Sequence, residues 1–217
     1  MTIEKTYNVV IVEADILTRI TLKKMLNSLE NYVVCADFDN AESAIDFIKS
    51  HRVDLIFLDI RLPYMNGIEA SKLIKRYDNN IKVVALTAAG SDSYTLAVLF
   101  AEADAYYIRD FKQSDLNGVV SNVINETGDI DRRIQYSLFN YIKLLPKNEY
   151  NLLKNDLSIL ESRFIKLGLI GFSKSEISLS LGSQTSELAN YVHSILNKLI
   201  LAGKFEYWKQ EVSYDLF

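Results

Sequence analysis

Apolar residues follow two rhythms along this chain, and the change between them divides it. Up to about residue 125, short continuous apolar runs alternate with longer stretches in which apolar positions recur every three to four residues. The first rhythm predicts buried strands and the second predicts amphipathic helices. Strands are expected at Tyr7–Val12, Tyr32–Ala36, Val53–Leu58, Ile81–Leu86 and Ala105–Ile108. Helices are expected at Ile16–Leu29, from Asn40 (as cap) to Lys49, at Ile68–Tyr77, at Ser93–Glu102, and at Ser114–Asn125 with Ser114 as its cap. In the first helix, Ile16, Ile20, Leu22, Met25, Leu26 and Leu29 form the expected buried stripe. From Leu157 onward the rhythm is helical throughout.

Five strands alternating with five helices, joined by short loops and right-handed crossovers, make a doubly wound parallel sheet. The fold class is therefore α/β followed by all-α: a flavodoxin-like (βα)5 domain, with expected strand order 2-1-3-4-5, and a small helical domain. The expected division is residues 1–127, a linker at 128–147 that is helical in part, and 148–217. In the last segment Ser173 precedes Lys174-Ser175-Glu176, a capping box, and Gly182 ends that short helix. Ser183-Gln184-Thr185 starts a longer helix whose stripe is Leu188, Val192, Ile195, Leu196 and Leu199. A short helix, a tight turn with glycine and a longer helix form a helix-turn-helix signature, shared with other small helical domains. The tail from Ala202 carries Phe205, Tyr207, Trp208, Tyr214 and Phe217, which either pack back or offer a partner surface.

Composition narrows the possibilities. The chain has 217 residues, is 49% hydrophobic and carries a net charge of −4, unlike a strongly basic nucleic-acid binder. The single cysteine, Cys35, excludes an internal disulfide framework, and its place in a strand predicts a core filler. No stretch resembles a signal peptide or reaches the length of a membrane span, so a cytoplasmic protein with no membrane partner is expected. No nucleotide loop or histidine nucleophile frame appears, so no enzyme activity is expected. His51 and His193 read as ordinary surface or packing residues.

Candidate chemistry gathers at Asp59. It ends the central apolar run, at the carboxyl edge where α/β sheets place their sites. Pro63 and Asn66-Gly67 stiffen the loop behind it. Asp59 is either a strand-ending loop aspartate or a carboxylate for phosphate or metal chemistry. With Asp59, Pro63, Gly67, Thr87-Ala88 and Tyr106 so placed, residues 7–125 resemble the receiver domain of two-component response regulators. The Ile177/Leu181-Gly182 helix end and the Val192/Ile195-Leu196/Lys198-Leu199 pattern make residues 155–200 resemble the helix-turn-helix domain of the NarL/FixJ (LuxR-type) family.

The resemblance implies that Asp59 accepts a phosphoryl group from a histidine kinase. It implies that acidic residues at the end of strand one hold Mg²⁺ with Asp59, that a lysine ending strand five pairs with the phosphoryl oxygens, and that Thr87 and Tyr106 switch together. It further implies a homodimer that binds DNA. This chain departs from the pattern. The acidic pair is Glu13-Ala14, with Asp15 one residue late, and the lysine position is Arg109. Arginine keeps the charge but not the shape. The implied metal set of Glu13, Asp15 and Asp59 is thus degraded: no cofactor is expected to be required, and Mg²⁺ should bind weakly. Thr87, Tyr106 and Arg109 are the implied switch residues.

The helical half departs as well. Where the family carries threonine, lysine and histidine on its groove-reading helix, this chain has Glu187, Ala189 and Tyr191. From Leu145 to Phe217, eight Lys and Arg residues balance eight Asp and Glu residues, although DNA affinity rests largely on cation–phosphate contacts. Lys174, Gln184, Ser186, Asn190, Tyr191, Ser194 and Lys198 remain as the candidate DNA face. Two readings follow: a DNA-binding regulator with weak or absent phosphorylation control, or a pseudo-response regulator that binds a protein instead.

Overall fold

The computed structural model describes residues 5–88, 98–110, 112–125 and 129–201. The expectations for Ala89–Gly90, the first half of the Ser93–Glu102 helix and the aromatic tail lie outside the described residues.

Six parallel strands form one sheet in the order β2-β1-β3-β4-β5-β6. They are β1 (Tyr7–Val12), β2 (Tyr32–Phe38), β3 (Leu55–Asp59), β4 (Lys82–Thr87), β5 (Ala105–Ile108) and β6 (Asp129–Ile130). The first five take the expected flavodoxin-like order. β3 is buried at every position because helices cover both faces of the sheet. Val9, Ile11, Leu55, Phe57, Val84 and Leu86 point to one face, and Val10, Ile56, Leu58, Val83 and Ala85 to the other.

Helices α1 (Ile16–Asn27), α2 (Ala41–Ile48), α3 (Gly67–Tyr77) and α4 (Gln113–Ile124) belong to this sheet. Each of the first three is capped by a side chain accepting a backbone N–H: Asp15 from Thr18, Asn40 from Ser43 and Asn66 from Glu69. Three expectations need correction. α4 begins one residue before Ser114, capped at Lys112, whose N–H donates to Asp115 at 3.2 Å. The α1 stripe is narrower than expected. Leu22 and Leu26 are buried, whereas Ile16, Leu17 and Ile20 are 58%, 71% and 45% exposed. At 100° per residue Ile16 and Ile20 fall roughly a third of a turn from the inner pair. Cys35 is exposed: it is the extra residue of a bulge in β2, the edge strand, between the pairs Val9–Val34 and Val10–Ala36.

The segment expected as a linker builds structure of its own. β6 pairs with β5, matching Ala105 to Asp129 and Tyr106 to Ile130. Asp131 N–H then donates to the Tyr106 carbonyl at 2.8 Å. Helix α5 (Arg132–Leu144) follows and buries Ile134, Leu138, Phe139 and Ile142. Then come α6 (Lys147–Asp156), α7 (Ile159–Leu169), α8 (Lys174–Leu181), a 3₁₀ turn (Thr185–Glu187) and α9 (Leu188–Leu201). Capping boxes start α7 at Ser158/Glu161 and α8 at Ser173/Glu176. Gly182 ends α8 at φ +65°, a conformation that favours glycine. At Gly168 a Cβ would lie 1.9 Å from Phe139 Cε2, so a glycine is what lets α7 approach α5. Of the two apolar cores, the one on the α2/α3 face of the sheet runs through Tyr106, Ile130 and α5 into α9.

Candidate functional site

The carboxyl edge of the sheet collects the acidic residues. Asp59 ends β3 and is 1% exposed; Glu13 follows β1 and is fully buried. The chain behind Asp59 is tightly held. Gly67 N–H donates to the Ile60 carbonyl at 3.0 Å, and a Cβ on Gly67 would lie 2.0 Å from the Asp59 carbonyl oxygen.

Arg109 follows β5 and reaches into this pocket. Its Nη1 donates to both Glu13 oxygens at 2.8 and 2.7 Å and to Asp59 Oδ2 at 3.1 Å. One guanidinium thus bridges both buried carboxylates and offsets part of their charge, where a divalent ion would offset all of it. Burial and the charge of Glu13 push the Asp59 carboxyl above its ordinary range, against the lowering pull of Arg109. Burial works against the charge on Arg109, but Asp59 and Glu13 prevail and hold it protonated.

Of the three expected metal-binding carboxylates, the structure brings together two. The Asp15 carboxylate is engaged elsewhere, capping α1 through Thr18 N–H at 2.8 Å. Arg19 pins the same loop by donating to the Glu13 carbonyl at 2.6 Å. Among the described residues no group of three or more His, Cys, Asp or Glu side chains is arranged to hold a metal ion. Mg²⁺ prefers octahedral oxygen ligation with several retained waters. The remaining pair, bridged by a cation of the chain itself, does not fit that requirement.

Thr87 and Tyr106 end up in different settings. The Thr87 hydroxyl is buried and donates to the Ala88 carbonyl at 3.3 Å. Tyr106 is fully buried and points away from Asp59, toward the helical half. Its hydroxyl lies 2.6 Å from His193 Nε2, and the two rings meet edge to face at 5.1 Å. Burial raises the Tyr106 phenol and lowers the His193 imidazole from their usual ranges, so both are neutral here. Sequence reasoning passed over His193 because its partner is 87 residues away.

The expected DNA face is revised mainly by packing within the helical half. α9 lies against β6, and Ala189, the position where the family carries lysine, is buried. Lys198 Nζ donates to Glu161 Oε2 at 2.5 Å, and Ser194 also hydrogen-bonds Glu161. The Tyr191 ring stacks on Phe164 at 5.5 Å. The Glu187 carboxylate accepts the Gln184 N–H at 3.1 Å and so caps the turn. Gln184 and Asn190 are exposed and Lys174 is half-buried; the Ser186 side chain lies outside the described residues. The Glu161 contacts could be half-foreseen, since Ser158-x-x-Glu161 is a capping-box spacing. Nothing local pointed to Lys198.

A parallel sheet with a buried carboxylate at its edge, joined to a helix-turn-helix module, defines a receiver coupled to an output domain. The chain belongs to the response regulator receiver domain family, whose model matches residues 9–121, over half its length. Among curated relatives it is 26% identical over 210 residues to the transcriptional regulatory protein DegU of Brevibacillus brevis, covering 90% of this chain and 89% of that protein. It is 25% identical over 185 residues to the transcriptional regulatory protein DesR of Bacillus subtilis (strain 168), covering 85% and 86%. Among solved structures it is similar in fold to RcsB of Salmonella enterica serovar Typhimurium bound to promoter rprA. There the TM-score is 0.54 at 20% identity, over 90% of this chain and 93% of that one.

Proposed function

We propose that this protein is a DNA-binding transcriptional regulator whose receiver works without phosphorylation at Asp59 and without Mg²⁺, and whose groove-reading helix is held against the receiver until released. The observation that carries this reading is the Arg109 guanidinium on Glu13 and Asp59. A phosphoryl group arriving at Asp59 would need a cation to neutralise its crowded oxygens. The guanidinium that reaches both Asp59 and Glu13 is already committed to the two carboxylates.

DNA binding is supported by the match to transcriptional regulatory proteins along nearly their full length. Homodimer formation belongs to the same reading, and a histidine kinase partner is not required by it. In the packed arrangement His193 of α9 is bonded to Tyr106 and α9 lies against β6, so α9 must leave the receiver before it can enter a groove. Fluorescence anisotropy with a genomic fragment library at low salt tests the first half of the reading. Affinity that falls steeply with added salt, in the wild type or in an opened Tyr106→Phe variant, supports it, and binding by both no stronger than that of a neutral control protein refutes it. Incubation with a small phosphodonor and Mg²⁺ tests the second half: little labelling of Asp59 is expected, and rapid stoichiometric labelling refutes it.

A second reading, a pseudo-response regulator that binds a protein instead of DNA, is favoured by the zero net charge from Leu145 to Phe217. Under that reading a nuclease-resistant complex is recovered and the anisotropy stays flat.

A further inference from the structure

If phosphorylation does not set the state of this receiver, something else must, and the closed packing leaves an opening for it. A cavity of about 210 Å³ lies between the two halves. The receiver supplies Lys72 from α3, then Leu99, Glu102 and Ala103 around the 3₁₀ turn at Val98–Ala101; α9 supplies His193, Leu196 and Asn197.

The lining specifies a chemistry. Leu99, Ala103 and Leu196 form an apolar wall. Opposite charges stand at the cavity: Lys72 Nζ and Glu102 Oε1 form a loose ion pair, 3.6 Å apart and beyond hydrogen-bonding distance, and neither makes another hydrogen bond or ion pair among the described residues. Glu102 adopts φ +52°, an uncommon conformation for a residue with a side chain. His193 uses Nε2 on Tyr106. With the Tyr106 hydroxyl donating, the neutral ring carries its proton on Nδ1, which has no partner among the described residues. An anion would satisfy Lys72 but meet Glu102, and a cation would do the reverse. A molecule bearing an ammonium and a carboxylate on one carbon satisfies both, and an apolar side chain on it fills the wall. The volume is below the range of roughly 300–1,000 Å³ typical of drug-sized pockets, which suits a small metabolite.

We infer that this cavity is a binding site for a free α-amino acid with a short apolar side chain, its carboxylate on Lys72 and its ammonium on Glu102. Because both halves line the site, the occupied cavity favours the closed form. By linkage, such a ligand weakens DNA binding by the same factor by which DNA weakens the ligand. That regulatory consequence rests on the DNA-binding reading; the site itself does not.

Isothermal titration calorimetry on the full chain with L-leucine, isocaproate and isoamylamine decides it. Saturable binding of L-leucine is expected, with either singly charged analogue weaker by at least about tenfold, the loss of one charge-assisted contact. Lys72→Ala and Glu102→Gln should each bring L-leucine down to the level of the analogue lacking the corresponding charge. Both sit on the surface, and circular dichroism checks that they fold. No heat with L-leucine at millimolar concentration overturns the site, as does binding unchanged in both variants. L-leucine binding that leaves DNA affinity unaltered overturns the coupling, and DNA binding that is absent altogether overturns the regulator reading while calorimetry still decides the site.

Discussion

Replacing Tyr106 or His193 should open the molecule. The hydroxyl–imidazole bond is 2.6 Å long, links residues 87 apart in sequence, and joins the strand beside Arg109 to the helix that would read DNA. A net hydrogen bond contributes about 0.5–1.5 kcal/mol, so removing both partners should shift the open-to-closed ratio by about two- to thirteen-fold. Tyr106→Phe alone should act more strongly. It keeps the ring but leaves a largely buried imidazole nitrogen without its partner in the closed form, a cost of about 1–3 kcal/mol. His193→Ala removes the acceptor together with the edge-to-face contact. Energy transfer between a label on Cys35, which is exposed and unique in the chain, and one on Lys166→Cys of α7 reports the separation of the halves. Lower transfer is expected in both variants, along with tighter DNA binding at low salt. Wild-type transfer in both would refute the idea that this contact holds α9 down. Opening without any gain in DNA affinity would instead refute the regulator reading.

Three other outcomes follow from the geometry. Arg109→Lys combined with Ala14→Asp should restore Mg²⁺-dependent labelling of Asp59 by a small phosphodonor, read by intact mass, whereas the wild type stays nearly unlabelled. Gly67→Ala should destabilise the receiver by about 1–3 kcal/mol or more in urea, because its methyl would lie 2.0 Å from the Asp59 carbonyl oxygen. Glu161 is pushed up by burial but pulled further down by Lys198, Ser194 and Ser158, to about 2 from an ordinary 4.5. A depressed carboxyl stabilises the fold above pH 4.5, and that contribution fades as pH falls toward 2. Glu161→Gln should therefore flatten the acid limb of the stability profile between those values, measured by urea unfolding at each pH.

The sheet was readable in the sequence because its strands are buried on both faces and so stand out as unbroken apolar runs. The caps at Asn40, Ser173 and Gly182 were readable because each is settled within a few residues. β6 was not, since two residues, Asp129 and Ile130, carry no periodicity. The α1 stripe was overestimated for a related reason: a list of apolar positions does not say which of them face inward until the angle around the helix is counted. At the acidic pocket, Glu13, Asp59 and Arg109 were all named from the sequence. What could not be read was that Arg109 would lie on both carboxylates while Asp15 turned away to cap a helix. The candidate DNA face fared worst. Tyr191, Ser194 and Lys198 read as outward polar positions on a helix, but Phe164 and Glu161, contributed by α7, draw them in. Contacts across 37 or 87 residues leave no local trace.

A phosphoryl group on a carboxylate is temporary, and its hydrolysis gives an ordinary receiver a built-in clock. The guanidinium on Glu13 and Asp59 is bonded to the chain for the life of the protein. Under the proposed reading, a receiver so wired keeps no memory of a past stimulus, and its output at any moment tracks what is bound to it and how many copies the cell holds.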